Sequence, residues 1–574
     1  MSQSQNELNK LKSVVYDLTK SYIEDNPDHF INKLFKKYKC FPYPKKRELL
    51  SIYNTMVTNK EINDDYEIRL MLTTKKLKNM SGISSITIFL HPYPNGQAFS
   101  CKFNCHYCPN QPGQPRSYLE NEPGCLRATR NKHDTINQFY DRARTLENNG
   151  HIIDKIELLV LGGTLESYPQ DYLEEFFRNI YYAANTYKSN HGRPKKTLLK
   201  EQTENINTVC RIIGLTIETR PDQINKDSLI KYRKWGVTRV QLGIQTIYDK
   251  ILKKINRGCM HKHAIKAAQL LKDSCFKYDA HFMPNLPDTT PEMDVDMFKY
   301  IFNSQDLQPD QAKIYPTAVT PYTQIEKWHS EGKYKPYSEN KLLDVLLYVK
   351  EIIPPYVRIN RLPRDIPTEY IIDGYKHTNL RQILLDRMEK DGKYCKCIRC
   401  REISINRRPL DDIKLTIRKY RASNGDEYFI SYETKDERYI YGFIRLRLSK
   451  NAGAGIFQCL ENHSLIRELH VYGQLINKGN KNTTGVQHKG LGSKLVKKAI
   501  EISLENGYNH IAVISGIGVR NYYIEKFNFK LDEHGFLTKK IKPDININFY
   551  IILAIILLLV VIKCHLTIII KDEL

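Results

Sequence analysis

Apolar runs alternate with amphipathic stretches from about residue 81 to residue 365. We assign five of the runs to buried strands, at residues 86–90, 156–161, 212–217, 237–244 and 312–315. Strands separated by helical segments predict repeated βα units and a parallel sheet that closes fully or partly into a barrel. In such folds the chemistry lies at the carboxyl ends of the strands.

The regions on either side of these βα units have different patterns. Residues 1–80 combine helical periodicity with many lysines and predict a small basic helical module. The elements predicted farther along are strands at 428–432, 439–447 and 464–471, a helix at 492–506 and a strand at 511–515. This order is typical of an acyl-CoA-binding α/β fold. Residues 366–408 form a linker between the two regions.

The last apolar segment is a candidate membrane anchor. Residues 549–570 are almost wholly apolar, and these 22 residues exceed the length of about 20 that a membrane span needs. Lysines precede the segment at 539, 540 and 542, so the positive-inside bias places the preceding domains in the cytosol. We therefore expect a single-pass tail anchor with a membrane as partner. The terminal sequence KDEL favours the endoplasmic reticulum over the mitochondrial outer membrane.

Length, charge and cysteine content limit the class of protein. A single core rarely grows beyond roughly 250 to 300 residues, so 574 residues require at least two domains. The formal net charge of +24 favours a polyanionic partner or an anionic membrane surface, and charge alone does not choose between them. The 13 cysteines are an odd number and six lie in two tight clusters, which favours metal binding over a disulfide framework.

The first cluster, Cys101, Cys105 and Cys108, has the spacing CxxxCxxC and follows the first predicted strand. Three thiolates on one short loop can hold three irons of a 4Fe-4S cluster and leave the fourth iron open. S-adenosylmethionine (SAM) can chelate that iron, and one electron from the cluster then yields a 5′-deoxyadenosyl radical. The alternative is a zinc knuckle, which needs a fourth ligand, and His106 is the nearest candidate.

Two further segments follow predicted strands. Gly162 and Gly163 come after the strand at 156–161, where small residues let the backbone approach the amino group of SAM. Glu218 and Arg220 end the next strand. Each segment alone also fits a simpler interpretation, a turn for the glycines and a structural ion pair for Glu218 and Arg220. We call residues 101–108 the Cys loop. Because the two segments follow the Cys loop in this order along the chain, all four residues are candidates for SAM binding.

The motif QxxGxG at residues 487–492 precedes a predicted amphipathic helix. It is similar to the acyl-CoA-binding loop of GCN5-related acetyltransferases, where backbone N–H groups and the helix dipole bind the pyrophosphate of coenzyme A. A glycine-rich turn before an ordinary helix is the alternative. Upstream, residues 467–473 resemble the strand that pairs with the pantetheine arm. The candidate acetyl-CoA contacts are Glu468, Leu469, His470, Val471, Gln487, Gly490, Leu491, Gly492 and Ser493.

The segment 515–523 resembles the part of these acetyltransferases that places a tyrosine near the thioester sulfur. A tyrosine there can act as a general acid toward the departing thiolate. We expect Tyr523, and secondarily Tyr522, to act in this way and to contact acetyl-CoA.

These motifs occur in one order over roughly residues 80–541, together with residues 313–316 and 364–367, and the ordered set resembles the catalytic subunits of the Elongator complex. One departure concerns the Cys loop. Many eukaryotic members have a longer interval before the second cysteine, and His91 and Pro92 stand where their first cysteine aligns. Cys101 must then supply the first thiolate.

The resemblance implies an α/β fold class, a radical SAM partial (β/α) barrel followed by a GCN5-related N-acetyltransferase domain, to which the tail adds a C-terminal transmembrane helix. The expected domains are residues 1–80, 81–365, 366–408 and 409–541, with the anchor at 549–570. The implied activity is acyl transfer that carboxymethylates C5 of the wobble uridine of transfer RNA (tRNA). Acetyl-CoA would be the substrate, and SAM and the 4Fe-4S cluster would supply the radical.

The resemblance also implies a further site residue and further partners. Lys155 matches a family lysine implicated in acetyl-CoA handling, and a solvated charge before a strand is its simpler interpretation. The partners would be tRNA, for which residues 1–80 are a candidate binding module, and other Elongator-like subunits or a second copy of the chain.

The second cluster, Cys395, Cys397 and Cys400, lies in the linker. The spacing CxCxxC suits a zinc ion with a fourth ligand from elsewhere, and His377 is the nearest histidine upstream. Several arginines surround this cluster, among them Arg364 and Arg401. They either bind phosphates of the RNA or form an ordinary solvated surface, and the sequence favours neither.

Two other functions stay open on the sequence alone. One is a protein lysine acetyltransferase whose iron–sulfur domain is structural, and SAM cleavage distinguishes it from the tRNA-modifying enzyme. The other is a non-catalytic, membrane-tethered RNA-binding scaffold, which predicts that Cys105→Ala leaves function intact.

Overall fold

The computed structural model describes residues 3–20, 27–73, 82–189, 192–377, 379–403, 412–472 and 490–541. The chain begins with four helices, α1 Gln3–Lys20, α2 Pro27–Lys37, α3 Lys46–Thr58 and α4 Tyr66–Leu72. Their apolar faces meet in a small core of their own that includes Val14, Leu34 and Leu49. Lys33, Lys36 and Lys37 of α2 stay on the surface because they lie on its opposite face.

Seven parallel strands form the first large sheet, in chain order from β1 at one edge to β7 at the other. The strands are β1 Ser84–Phe89, β2 Lys155–Leu161, β3 Arg211–Thr219, β4 Arg239–Gln245, β5 Lys277–Phe282, β6 Gln311–Ile314 and β7 Arg358–Arg361. The helices are α5 Pro123–Arg130, α6 Thr135–Asn148, α7 Gln170–Thr186, α8 Leu198–Asn205, α9 Lys226–Lys234, α10 Asp249–Lys254, α11 His261–Asp273, α12 Pro291–Asn303, α13 Gln324–Ser330 and α14 Glu339–Ile352. Parallel strands joined by helices form an open, partial barrel.

Two short helices, α15 Leu380–Lys390 and α16 Ile398–Arg401, lead to a second, mainly antiparallel sheet of order β13-β14-β12-β11-β10-β9-β8. Its elements are β8 Ile413–Ala422, β9 Gly425–Thr434, β10 Ile440–Leu448, β11 His463–Val471, α17 Leu491–Glu505, β12 His510–Val513, α18 Arg520–Phe527, β13 Lys530–Leu531 and β14 Leu537–Lys540. β11 and β12 are parallel, which is the arrangement expected when α17 crosses between them.

The second sheet packs against the amino ends of the barrel strands. Arg467 of β11 forms a bidentate ion pair with Asp310, which directly precedes β6, with N–O distances of 2.5 and 2.7 Å. A Cβ on Gly516 would lie 2.1 Å from the carbonyl oxygen of Ile213 in β3, so only glycine allows this approach. We call the buried charged residues at this contact the interface ion cluster: Lys272, Asp310, Glu427, Arg445 and Arg467.

The expectation of a C-terminal transmembrane helix in the fold class is corrected. Across the seven described ranges, the helices are too short or too polar to cross a membrane. Residues 549–570, on which the expectation rested, lie outside those ranges. Within those ranges the fold that the structure supports is an α/β pair of domains, a partial barrel and a second sheet.

Candidate active site

The loop that carries Cys101, Cys105 and Cys108 lies at the carboxyl ends of the barrel strands, as expected. Cys105 is buried, and Arg220 and Arg257 point guanidinium groups at its sulfur, at 3.6 and 3.5 Å. A hydrogen bond from Cys108, together with the charges of Arg257 and Arg220, lowers the pKa of Cys105 to about 4. The loop can therefore supply a thiolate at neutral pH, which is the form that binds iron.

The Gly162–Gly163 turn touches the Cys loop. A Cβ on Gly163 would lie 2.0 Å from the carbonyl oxygen of Ser100, so a larger residue would displace the loop. The N–H of Gly163 donates to the hydroxyl of Tyr168 at 3.1 Å, and Cys101 donates to Thr164 Oγ1 at 3.3 Å. The turn thus helps to position the first cysteine, and its contact with SAM stays a prediction.

Glu218 and Arg220 lie at the same end of the barrel but do not pair with each other. Glu218 accepts from Lys313 Nζ at 2.7 Å and from the Tyr118 hydroxyl at 2.8 Å. Arg220 pairs with Asp222 at 2.9 Å and points toward Cys105. The simpler interpretation, a Glu218–Arg220 ion pair, is therefore wrong, and both groups face the Cys-loop end.

A cavity of about 610 Å³ lies at the amino ends of β2 and β3, and residues of both domains line it. Lys155, Leu469, Tyr522 and Tyr523 line it, so three segments that the sequence singled out meet here. Burial lowers the pKa of Lys155 and raises the pKa of Tyr523. The seven residues of β2 rise about 3.3 Å each, which separates this cavity from the Gly162 turn by about 20 Å.

The QxxGxG loop falls only partly in the described ranges. Gly490 caps α17 in the left-handed conformation, with φ +74°, and Leu491 begins the helix. A Cβ on Gly492 would lie 2.9 Å from the Tyr522 hydroxyl, and the Ser493 side chain hydrogen bonds to Tyr522. The loop therefore joins the cavity through Tyr522. Gln487 lies outside the described residues.

The predicted contacts on β11 point in different directions. Glu468 is turned to the domain interface, where it accepts from Arg445 at 2.9 Å. His470 packs on Tyr472, and burial lowers its pKa to about 4, so the ring is neutral. Val471 lies against Gly492. Leu469 alone of these four lines the cavity.

Cys395, Cys397 and Cys400 come together, with their sulfur atoms within 4.8 Å of one another. In the described part of the chain they are the only such group of His, Cys, Asp or Glu ligand atoms. Zn–S bonds of about 2.3 Å place two thiolates on one ion roughly 4 Å apart, so the group fits a single ion. His377 is not a member of it, because its ring is exposed and faces Glu339 at 3.7 Å.

Other charged residues have structural positions that the sequence did not reveal. Arg364 pairs with Glu122 at 2.5 Å and Arg401 with Glu433 at 2.8 Å, and both arginines are largely buried, so neither presents a free charge to RNA. Arg257 next to Cys105 belongs to no motif. A single arginine after α10 carries no signal in one sequence that distinguishes it from a surface residue.

Comparisons with known proteins agree with this architecture. Residues 98–301 match the model of the Radical SAM superfamily, and residues 309–390 match the Radical_SAM C-terminal domain. The chain is 38% identical to tRNA uridine(34) acetyltransferase of Methanocaldococcus jannaschii, over 79% of this chain and 84% of that one. It is 33% identical to Elongator complex protein 3 of Saccharomyces cerevisiae, over 89% of this chain and 91% of that one.

Among solved structures, the archaeal Methanocaldococcus infernus Elp3 with an N-terminal deletion is 34% identical, with a TM-score of 0.67, over 80% of this chain and 99% of that one. The radical SAM domain implies a 4Fe-4S cluster and SAM. The chain belongs to the family of radical SAM acyltransferases that comprises Elongator complex protein 3 and the tRNA uridine(34) acetyltransferases.

Proposed function

We propose that this enzyme modifies uridine 34 of tRNA by carboxymethylation at C5, with acetyl-CoA as the two-carbon donor. The observation that carries the proposal is the presence of two sites on one barrel, the Cys loop at one end and the Lys155–Tyr523 cavity at the other. The relative from M. jannaschii is named for action on tRNA uridine 34, and 79% of this chain aligns with it. Other Elongator subunits are proposed partners, since the yeast relative is a component of that complex by name.

Cys101, Cys105 and Cys108 would hold the 4Fe-4S cluster. When bound, the cluster supplies the electron that cleaves SAM to a 5′-deoxyadenosyl radical. Arg220 and Arg257 offset the charge of the thiolate at Cys105. Glu218 is held by Lys313 and Tyr118 and would present its carboxylate to the polar groups of SAM.

Acetyl-CoA would bind in the cavity between the domains. The left-handed Gly490 exposes backbone N–H groups at the start of α17 for its pyrophosphate. Tyr523 lines the cavity, and its hydroxyl, like that of any tyrosine with an ordinary or raised pKa, is protonated at neutral pH, so it can donate that proton to the departing thiolate. Lys155 would orient the thioester. Cys395, Cys397 and Cys400 would hold a structural zinc ion, with Arg381 at 3.1 Å from the Cys400 sulfur to offset its charge.

Anaerobic incubation with a reductant, SAM, acetyl-CoA and tRNA tests the function. We expect 5′-deoxyadenosine and a tRNA nucleoside that carries a carboxymethyl group, both measured by mass spectrometry. Acetylated protein together with unmodified tRNA would instead support the lysine acetyltransferase.

The substitution Tyr523→Phe tests the general acid. Because phenylalanine keeps the buried ring, we expect acetyl-CoA binding and the fold to persist while thiol release in the presence of tRNA slows about 10²-fold or more. Tyr508→Phe, a half-buried tyrosine of the same domain, is the matched control. Equal thiol release by the Tyr523→Phe variant and the unsubstituted enzyme would remove Tyr523 from the mechanism.

A further inference from the structure

Tyr322 is an exposed aromatic residue in an unfavourable backbone conformation. Its φ is +65°, in the left-handed region that bulky side chains rarely adopt, and 49% of its surface is exposed. Two hydrogen bonds hold it there. Its carbonyl oxygen accepts from the N–H of Asn110 at 3.0 Å, and its own N–H donates to Glu326 at 3.0 Å. A ring that is half exposed contributes little to the core, so burial does not explain this conformation.

The position of Tyr322 is tied to the Cys loop. Asn110 lies two residues after Cys108, so its hydrogen bond joins Tyr322 directly to the end of that loop. The helix α13 begins two residues after Tyr322, and the N–H groups of Gln324 and Ile325 donate to the carbonyl oxygen of His106 at 3.0 and 3.2 Å. The tyrosine is thus fixed beside the end of the barrel where the radical is generated.

Other aromatic and cationic side chains surround the same loop. Tyr93 is 43% exposed, and its hydroxyl accepts from the N–H of Gly113 at 2.9 Å. Phe99 is 46% exposed and lies two residues before Cys101. Lys102 is exposed within the loop, and Arg116 donates to Asn104 at 2.7 Å. Exposed aromatic rings interspersed with cations are the surface that binds unpaired nucleotides, because every base has a face that stacks.

We propose that Tyr322 stacks on an unpaired base next to the uridine that reacts. The inference rests on the proposed function, because it takes tRNA as the substrate. A duplex offers no free base face, whereas the nucleotides of an anticodon loop can be splayed out and stacked on aromatic side chains. The hydrogen bonds to Asn110 and Glu326 fix the backbone of Tyr322 before the RNA arrives, so little backbone freedom is lost on binding.

The substitution Tyr322→Asn removes the ring and keeps the backbone, since asparagine tolerates the left-handed region. We expect the affinity for a synthetic anticodon stem-loop RNA to fall about 5- to 100-fold, and Tyr322→Phe to bind like the unsubstituted protein. Leu531→Asn is the matched control and should leave binding unchanged, because Leu531 is 46% exposed on β13 at the outer edge of the second sheet.

Photocrosslinking locates the contact without relying on catalysis. An RNA with 5-iodouridine on either side of the wobble position should crosslink to Tyr322, as identified by peptide mass spectrometry. Equal affinity of the Tyr322→Asn variant and the unsubstituted protein, with crosslinks only elsewhere, would overturn the stacking inference and leave the proposed function standing. No binding of the stem-loop by the unsubstituted protein would overturn both.

Discussion

Replacement of Cys105 with alanine is expected to abolish SAM cleavage and leave the acetyl-CoA site intact. Cys105 is the buried thiol at which Arg220 and Arg257 converge, and a 4Fe-4S cluster with only two protein thiolates on this loop would not be retained. We expect iron and sulfide content to fall, and 5′-deoxyadenosine formation to drop to the level without enzyme. The cavity at Lys155 and Tyr523 lies about 20 Å away, so acetyl-CoA affinity should stay the same.

The control for this experiment is Cys459→Ala, because Cys459 is a partly buried cysteine outside both Cys groups. It should keep the iron content and the activity of the unsubstituted enzyme. Retained SAM cleavage in the Cys105→Ala variant would show that the loop does not hold the cluster. Zinc in place of iron in the anaerobically purified protein would instead favour the zinc knuckle.

The sequence predicted the barrel strands that carry apolar runs and missed two barrel strands that carry polar residues, β5 and β7. The apolar runs at 156–161 and 212–217 coincide with β2 and β3. β5 and β7 lay outside the predicted runs because they carry Asp279 and Asn360. These two side chains hydrogen bond to each other inside the barrel at 2.7 Å. A polar residue in one sequence gives no sign that a partner 81 residues away will satisfy it.

The site shows the same limit. Spacing identified the two Cys groups because their ligands are local in sequence. It could not choose the fourth ligand of the second group, because that choice depends on tertiary contacts, and His377 faces Glu339 instead. Lys155 and Tyr523 meet in one cavity although 368 residues separate them, and the motifs alone did not require this. Local chemistry could be predicted, and the contacts between the domains could not.

The substitution Asp310→Asn is expected to have the largest effect on stability. The side chain of Asp310 is fully buried between Arg467, Lys272 and Arg445, at 2.5, 3.7 and 3.7 Å. Burial opposes ionisation, but these three cations hold the pKa of Asp310 well below its usual range. Removing its charge leaves Arg467 and Lys272 with Glu427 and Arg445 with Glu468, and breaking such a buried pair costs about 3–5 kcal/mol. Urea unfolding measures the loss.

The matched control is Asp296→Asn, in an exposed pair with Lys299 at 3.1 Å, which should leave the free energy of unfolding nearly unchanged. The pH dependence of the free energy of unfolding tests the same carboxylate. A carboxyl with a lowered pKa stabilises the fold above its unfolded-state pKa of about 3.9, and this stabilisation is lost as the pH falls further. The unsubstituted protein should therefore lose stability below about pH 4 more steeply than the Asp310→Asn variant.

Disrupting the interface ion cluster should affect the acetyl-CoA cavity and not the Cys loop. The cavity is built from Lys155 of the barrel and Tyr523 of the second domain, so it depends on the contact that Asp310 and Arg467 maintain. The Cys loop lies at the other end of the barrel and makes its contacts within that domain. We therefore expect Asp310→Asn to weaken acetyl-CoA binding and to leave the iron content unchanged. Loss of both properties would mean that the whole barrel unfolds with the interface, and loss of neither would mean that the cluster does not couple the domains.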